Sequence, residues 1–274
     1  MSKIGVGIIT CNRQDFYEKC IQSIKDCDID VVVTINDGDP YADTATKYGK
    51  YIQHKTNKGV GITKNEALKY LIETDCEHIF LIEDDIIVKD AKVFQAYIDA
   101  SYETGLRHFM FGYHGPANKD SNKNPSPRLI VEYSPSCSIA FNEHCVGALC
   151  YYHRTVLNSV GLMDEQFKNA WEHVDHSLQI VNGGFIPSYW WWPDLADSYD
   201  YLDELACSED SSTIRWENSE EKIPKKDWLE NIEKGAQYFY TKNKCFPNQV
   251  QSCDETGLIQ KIKQIKEKYS CNGV

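Results

Sequence analysis

His78-Ile79-Phe80-Leu81-Ile82-Glu83-Asp84-Asp85-Ile86-Ile87-Val88 sets three consecutive acids between two apolar runs. Ile79 to Ile82 followed by Ile86 to Val88 reads as a strand buried on both faces, as in a parallel sheet covered by helices. Carboxylates at its end cannot stay ionised in a low dielectric without a partner. A divalent cation suits them, because hard oxygen ligands select Mg²⁺ or Mn²⁺. An ion held by one or two protein carboxylates completes its shell with phosphates and water. The competing reading is a strand end carrying solvated acids, and the surrounding sequence decides between the two.

Outward from this stretch, strands alternate with helices. Ile4 to Thr10 is an apolar run, followed by polar Cys11-Asn12-Arg13 and then by Phe16, Cys20, Ile21 and Ile24 at helical spacing. Asp30 to Ile35 is a β-branched run stopped by the turn chemistry of Asn36-Asp37-Gly38-Asp39-Pro40. A short polar helix follows, then a minor strand over Tyr51 to His54. Asn57-Lys58-Gly59-Val60-Gly61-Ile62-Thr63 is a glycine loop feeding a helix with Ala67, Leu68, Leu71 and Ile72 on one face. This order implies right-handed βαβ units and a mostly parallel α/β sheet, whose ligands bind beyond the carboxyl ends of the strands. Thr10 to Arg13, Asn36 to Asp39 and Glu83 to Asp85 all fall at such ends.

Further along, Pro116 to Pro135 is rich in Asn, Lys, Ser and Pro and reads as a long mobile loop. Ile139 to Tyr152 is apolar and aromatic, and Trp171-Glu172-His173-Val174-Asp175-His176 opens a helix. Beyond residue 200 the pattern weakens: Glu217 to Lys226 is charged, Trp228 to Phe239 is helical, and Ile259 to Tyr269 is an amphipathic, lysine-rich helix. The expected division is one α/β domain over 1–205 and a C-terminal helical extension over 206–274.

The net charge of −12, from 41 acids against 29 bases, favours neither a phosphate backbone nor an anionic membrane as main partner. It leaves room for a local basic groove, so nucleic acid is disfavoured rather than ruled out. Eleven scattered cysteines without CxxC pairs match neither a disulfide nor a zinc framework, and reduced thiols in a cytoplasmic protein are expected. The N-terminus enters a strand directly, without signal-peptide features. No run approaches the ~18 apolar residues of a membrane span, so a soluble chain is expected.

Taken together, these signals resemble the GT-A fold glycosyltransferases, family-two type, over roughly residues 3 to 200. Ile8-Ile9-Thr10-Cys11-Asn12-Arg13 resembles the first-strand T-x-N-R element, and Asn36-Asp37-Gly38 the D-D-G element. The loop from Gly59 through Lys64-Asn65 is similar to N-x-G-x-x-x-A-R-N with lysine for the usual arginine. Glu83-Asp84-Asp85 resembles D-x-D, and Gly161-Leu162-Met163-Asp164-Glu165-Gln166-Phe167 before Trp171-Glu172 resembles G-x-x-D-E-x-F before E-D-x-D. Each motif alone is weak; their common order is what carries the likeness. The resemblance implies a GT-A, Rossmann-like domain and a metal-dependent hexosyl- or pentosyltransferase. Such an enzyme moves a sugar from a nucleotide-diphosphate donor, a uridine one by preference, to a hydroxyl of a glycan, protein or other acceptor, with inversion.

A departing diphosphate gains negative charge, so the site must hold a cation against it. Asp85 is the choice for direct metal ligand, with Glu83 and Asp84 nearer the ribose or the metal's waters and His176 a further candidate. A strand-end acid capping the next turn is the alternative for Asp84. Thr10, Asn12, Arg13, Gly59, Lys64 and Asn65 are assigned to the donor site. Asp37 is expected to accept from a pyrimidine N–H, although Asn-Asp-Gly-Asp-Pro makes a turn in any protein. Inversion needs a general base beside the acceptor hydroxyl. In the resembled family that base is the acid after the glutamate of E-D-x-D, where this chain has His173. Glu172 and Asp175 therefore lead as candidates, and His173 follows as a chemically competent imidazole.

Trp190-Trp191-Trp192 reads either as a platform stacking on a sugar or as buried core. Tyr113-His114-Gly115 is a candidate lid over the donor. Two rival functions remain open: a nucleotidyltransferase, whose glycine-rich, basic first loop Thr10 to Phe16 lacks, and a silent nucleotide-sugar or glycan-binding module, favoured by His173 and Lys64.

Overall fold

The computed structural model describes residues 2–42, 48–168, 170–205 and 225–269. β1 (Lys3–Thr10), β2 (Val31–Asn36), β3 (Lys50–Gln53) and β4 (Cys76–Glu83) run parallel in the order β3-β2-β1-β4. β9 (Leu149–His153) lies antiparallel to β4, and β6 (His108–Met110) antiparallel to β9, which completes a six-stranded, mostly parallel sheet. Val6, Ile8, Val33, Ile35 and Ile79 to Ile82 are all buried, because helices leave neither face of the central strands to water. Among those helices, α1 (Gln14–Ile24) buries Tyr17, Cys20 and Ile24, and α2 (Val60–Glu73) buries Ala67, Leu68 and Leu71. Gly59, at the start of α2, has φ +93°, and a Cβ there would lie 2.6 Å from the Lys168 carbonyl.

The acid-bearing stretch is not one strand. β4 ends at Glu83, Asp84 and Asp85 form a turn, and β5 (Ile86–Val88) leaves the main sheet to pair antiparallel with β11 (Leu202–Glu204). In a strand buried on both faces, three successive carboxylates would alternate into two apolar layers. The turn avoids that penalty and gathers them at one end.

Pro116 to Pro135 is likewise not an unstructured loop. Residues 118–126 form a tight hairpin with Ser126 N–H donating to the Asn118 carbonyl at 2.8 Å and Asp120 N–H to the Asn124 carbonyl at 2.9 Å. The Asp120 carboxylate accepts from Asn122 and Asn124 N–H, an Asx-type turn. The chain then enters β7 (Leu129–Ser134), which with β8 (Cys137–Asn142) and β10 (Trp192–Leu195) builds a three-stranded antiparallel sheet.

The remaining helices are α3 (Val93–Thr104), α4 (Arg154–Val160), α5 (Glu172–Asn182), α6 (Ser198–Tyr201), α7 (Lys225–Asn243) and α8 (Glu255–Tyr269). The last two dock on the α/β unit: Trp171 Nε1 donates to the Ile232 carbonyl at 3.0 Å, and the Arg107 guanidinium to the Tyr269 carbonyl at 2.9 Å. The tryptophan run belongs to this packing. Trp192 is fully buried, and the indole N–H groups of Trp190 and Trp191 donate to the carbonyls of Val250 and Cys253. Trp191 and Trp192 are core residues, and half-buried Trp190 helps fasten the C-terminal segment. The described cysteines are free thiols, and no described helix is long and apolar enough to cross a membrane. The polar helix expected after Pro40 and most of the charged stretch from Glu217 fall outside the described residues.

Candidate active site at the β1–β4 edge

β1 neighbours β2 on one side and β4 on the other, so the strand order reverses here, the place where open α/β sheets bind ligands beyond the carboxyl ends of their strands. Register brings the polar ends together. Thr10 pairs with Asn36 and Ile9 with Glu83, while Asp84 N–H donates to the Ile9 carbonyl at 3.1 Å.

Arg13, 3 % exposed, is the hub of this edge. Its guanidinium forks onto the Asp84 carboxylate through Nη2 and Nε, and its Nη1 lies 3.1 Å from Asp85 Oδ2. Thr10 Oγ1 donates to Asp84 Oδ2 at 2.6 Å, and the Tyr41 hydroxyl lies 2.7 Å from the same Oγ1 while accepting from Arg13 N–H at 2.8 Å. Burial alone would lower the Arg13 pKa, but Asp84, Asp85 and Glu83 hold the guanidinium above its ordinary value. On the far side of Asp85, His114 Nε2 lies 3.4 Å from Oδ1 and 3.7 Å from Glu204 Oε2. Burial alone would lower the His114 pKa as well, and its contacts with Asp85, Glu83 and Glu204 raise it instead.

A second charged cluster begins one residue earlier. Lys64 Nζ lies 3.1 Å from Glu83 Oε1, 3.1 Å from Glu172 Oε1 and 3.1 Å from the Gly147 carbonyl. His173 Nδ1 lies 3.0 Å from the same Glu172 oxygen. Burial alone would raise the Glu172 carboxyl, but Lys64 and His173 hold it far below the usual carboxylate range; Lys64 is correspondingly raised. Gly147 gives the imidazole room, since a Cβ there would lie 2.8 Å from His173 Cγ.

Comparison with solved structures decides the fold. The S. aureus TarS structure of residues 1–349 superposes with TM-score 0.52 at 16 % identity over 99 % of this chain and 74 % of that one. Its complex with UDP-GlcNAc gives 0.55 at 15 % identity over the same shares. GalNAc-T7 with UDP, GalNAc and Mn²⁺ gives 0.50 at 12 % identity over 98 % of this chain and 54 % of that one. The chain has the GT-A fold of the glycosyltransferases. No protein-family model and no curated protein matches its sequence.

Within this GT-A domain the expected site residues divide into four groups. Thr10, Arg13, Asp84 and Asp85 meet at the β4 tip, and Glu83, Lys64, Glu172 and His173 meet beside it. A scaffold group holds the loops. Asn12, with φ 56°, accepts from Asp39 N–H at 2.6 Å and clips the first loop to the second. Asp37 accepts from Lys58 N–H and Gly59 N–H at 2.8 and 2.9 Å and contacts His54 Nδ1 at 2.5 Å, so its carboxylate shapes the glycine loop. Asn65 pairs with both backbone groups of Met163.

The fourth group faces elsewhere. Asp175 receives Lys242 at 2.7 Å and Asn243 at 3.0 Å from α7, and His176 Nε2 donates to the Gly161 carbonyl at 3.0 Å with its ring against Tyr152. That donating nitrogen has no lone pair for a metal.

The donors at the β4 tip suit a divalent ion in kind. Two cis ligands about 2.1 Å from a common ion stand roughly 3 Å apart, close to the separation of Asp85 and His114. Among the described residues no three His, Cys, Asp or Glu side chains are grouped as a ready metal cluster. Tyr41, His114 as a partner of Asp85, and Glu204 were not assigned from sequence. Tyr41 and Glu204 sit in no motif, and His114 carried only the signal of the Gly-Tyr-His-Gly turn.

Proposed function

We propose that this chain is a metal-dependent glycosyltransferase that transfers a sugar from a nucleotide diphosphate, uridine diphosphate by preference, to an acceptor hydroxyl with inversion. The observation that carries it is the acid pair at the tip of β4, at the switch point of a GT-A sheet, with a buried guanidinium already neutralising it. TarS bound to UDP-GlcNAc and GalNAc-T7 bound to UDP and Mn²⁺ share this fold and support the donor class.

Asp85, joined by His114, would hold Mn²⁺ or Mg²⁺, which supplies positive charge against the departing diphosphate. Glu83, 21 % exposed at its side chain, faces the ribose or the ion's waters. Arg13 is the resting counter-charge of Asp84 and Asp85, and it lies where a diphosphate oxygen would draw its Nη1 outward. Thr10 and Tyr41 fix Asp84 while this happens.

His173 is the general base. Its side chain is 23 % exposed in the first turn of α5, whereas Glu172 is buried and fixed as an anion and Asp175 is bound by α7. Donation of Nδ1–H to Glu172 leaves Nε2 to take the acceptor's proton. Glu172 thereby orients the base and stabilises the imidazolium that forms.

One observation favours a second reading, a nucleotide-sugar-binding module without turnover: Asp84 and Asp85 are both fully buried beneath Arg13. Incubation with UDP-GlcNAc or GDP-mannose, in Mn²⁺ or in EDTA, separates the two. The transferase releases free UDP slowly from the uridine donor with Mn²⁺ alone, and Asp85→Asn abolishes the release. Tight donor binding with no release in any condition would establish the module instead.

A further inference from the structure

Beside β5 and β11 lies a cavity of about 200 Å³ lined by Lys89, Lys119 and Lys123, with Tyr113 and Tyr199 as an aromatic corner and Glu204 at its edge. In a chain of net charge −12, three lysines lining one small cavity run against the overall field. The two tyrosine rings pack edge to face, 6.2 Å apart at 70°, so that buried Tyr113 backs the exposed ring of Tyr199, whose face suits the C–H surface of a sugar.

The lysines are held rather than scattered. Lys119 and Lys123 belong to the 118–126 hairpin, in which Asn118 and Lys123 adopt left-handed backbone, with φ 60° and 66°. Such conformations cost free energy outside glycine and persist where the surroundings fix them. Asn118 does the fixing through its side chain, which bonds the Gly112 and His144 carbonyls and His144 N–H. Lys119 Nζ lies 2.8 Å from Glu204 Oε1, and Lys89 Nζ donates to the Tyr199 carbonyl. The Lys123 ammonium has no ion-pair partner among the described residues. Of the three lysines, Lys119 alone has an ion pair among the described residues, with Glu204.

The cavity adjoins the acid site. Glu204 Oε1 meets Lys119 while its Oε2 lies 3.7 Å from His114 Nε2, and His114 lies 3.4 Å from Asp85. A volume below the roughly 300–1,000 Å³ of drug-sized ligand sites suits one sugar unit and not a whole nucleotide.

We propose that this cavity is the acceptor subsite and that it takes a sugar carrying an anionic group, a phosphate or a carboxylate, with the anion at Lys119 and Lys123 and the ring against Tyr199. The word acceptor rests on the transferase reading above; the anionic-sugar site stands on the cavity itself.

Saturation-transfer NMR with glucose 6-phosphate, glucuronate and glucose as probes tests it on the full chain. The two acidic probes bind and glucose does so far more weakly, and their relative affinities tell phosphate from carboxylate. Lys123→Gln weakens the acidic probes about threefold and Lys123→Glu about tenfold, while UDP binding in Mn²⁺ is unchanged. Lys123 is exposed, so both variants fold. Equal binding of glucose and the acidic probes, or binding unaltered in Lys123→Glu, overturns the proposal. Displacement of the probes by UDP with Mn²⁺ also overturns it, by locating them in the donor site. Lysine-dependent probe binding in a chain that binds no UDP would defeat the transferase reading and leave the anionic-sugar site standing.

Discussion

Lys64 Nζ and Glu172 Oε1, 108 residues apart in sequence, meet at 3.1 Å with both side chains buried, and this contact ties α2 to the first turn of α5. A buried pair of this kind adds little net stability over an apolar pair, but removing one partner strands the other charge. Lys64→Met is therefore expected to cost about 3–5 kcal/mol in urea denaturation. The double variant Lys64→Met/Glu172→Leu recovers most of that loss; no recovery would mean that the pair is not coupled.

Acid should weaken the fold through the same contact. The folded-state pKa of Glu172 lies far below its ordinary value of 4.5, so in acid the unfolded chain binds the proton first. The contribution is complete above pH 4.5 and is lost as pH falls below it. Stability measured from pH 7 to pH 3 is expected to drop in that lower window for the native chain and to vary less for Glu172→Gln. Parallel curves for the two proteins would contradict the assignment.

Arg13 gives a prediction about metal. Arg13→Gln leaves Asp84 and Asp85 without their guanidinium, at a cost of about 3–5 kcal/mol. Mn²⁺ then substitutes for the missing charge. Melting curves are expected to show a larger rise with Mn²⁺ in Arg13→Gln than in the native chain, and an equal rise would separate Arg13 from the metal site.

The helix α5 carries two groups that kinetics distinguishes. His173→Gln is expected to lower kcat about 10²–10⁴-fold with little change in melting temperature, as for loss of a general base. Asp175→Asn removes the charge that Lys242 answers and is expected to lower stability while sparing kcat. The reverse pattern would return the base to Asp175.

Much of this site was legible because its chemistry clusters in strand-end motifs. Thr10, Arg13, Glu83, Asp84 and Asp85 sit within short segments that the parallel register brings to one edge. The exceptions share a physical cause. Asp37, Asn65 and Asp175 are polar residues of the same motifs, yet their hydrogen bonds are taken by Gly59 N–H, the Met163 backbone and Lys242, and the last of these partners comes from a helix more than 60 residues away. Composition made Pro116 to Pro135 look mobile, whereas Asp120 and Asn118 close it by side-chain-to-backbone bonds that an average over residue types does not register. His114, in the turn after β6, reaches Asp85, and Glu204 of β11 reaches His114; no local spacing announces a meeting of segments so distant in sequence.

Calorimetric titration of UDP tests the central claim most directly, with the native chain and Asp85→Asn each measured in Mn²⁺ and in EDTA. Binding is expected only for the native chain in Mn²⁺. Equal affinity in EDTA, or equal affinity in Asp85→Asn, would contradict a cation held at the tip of β4.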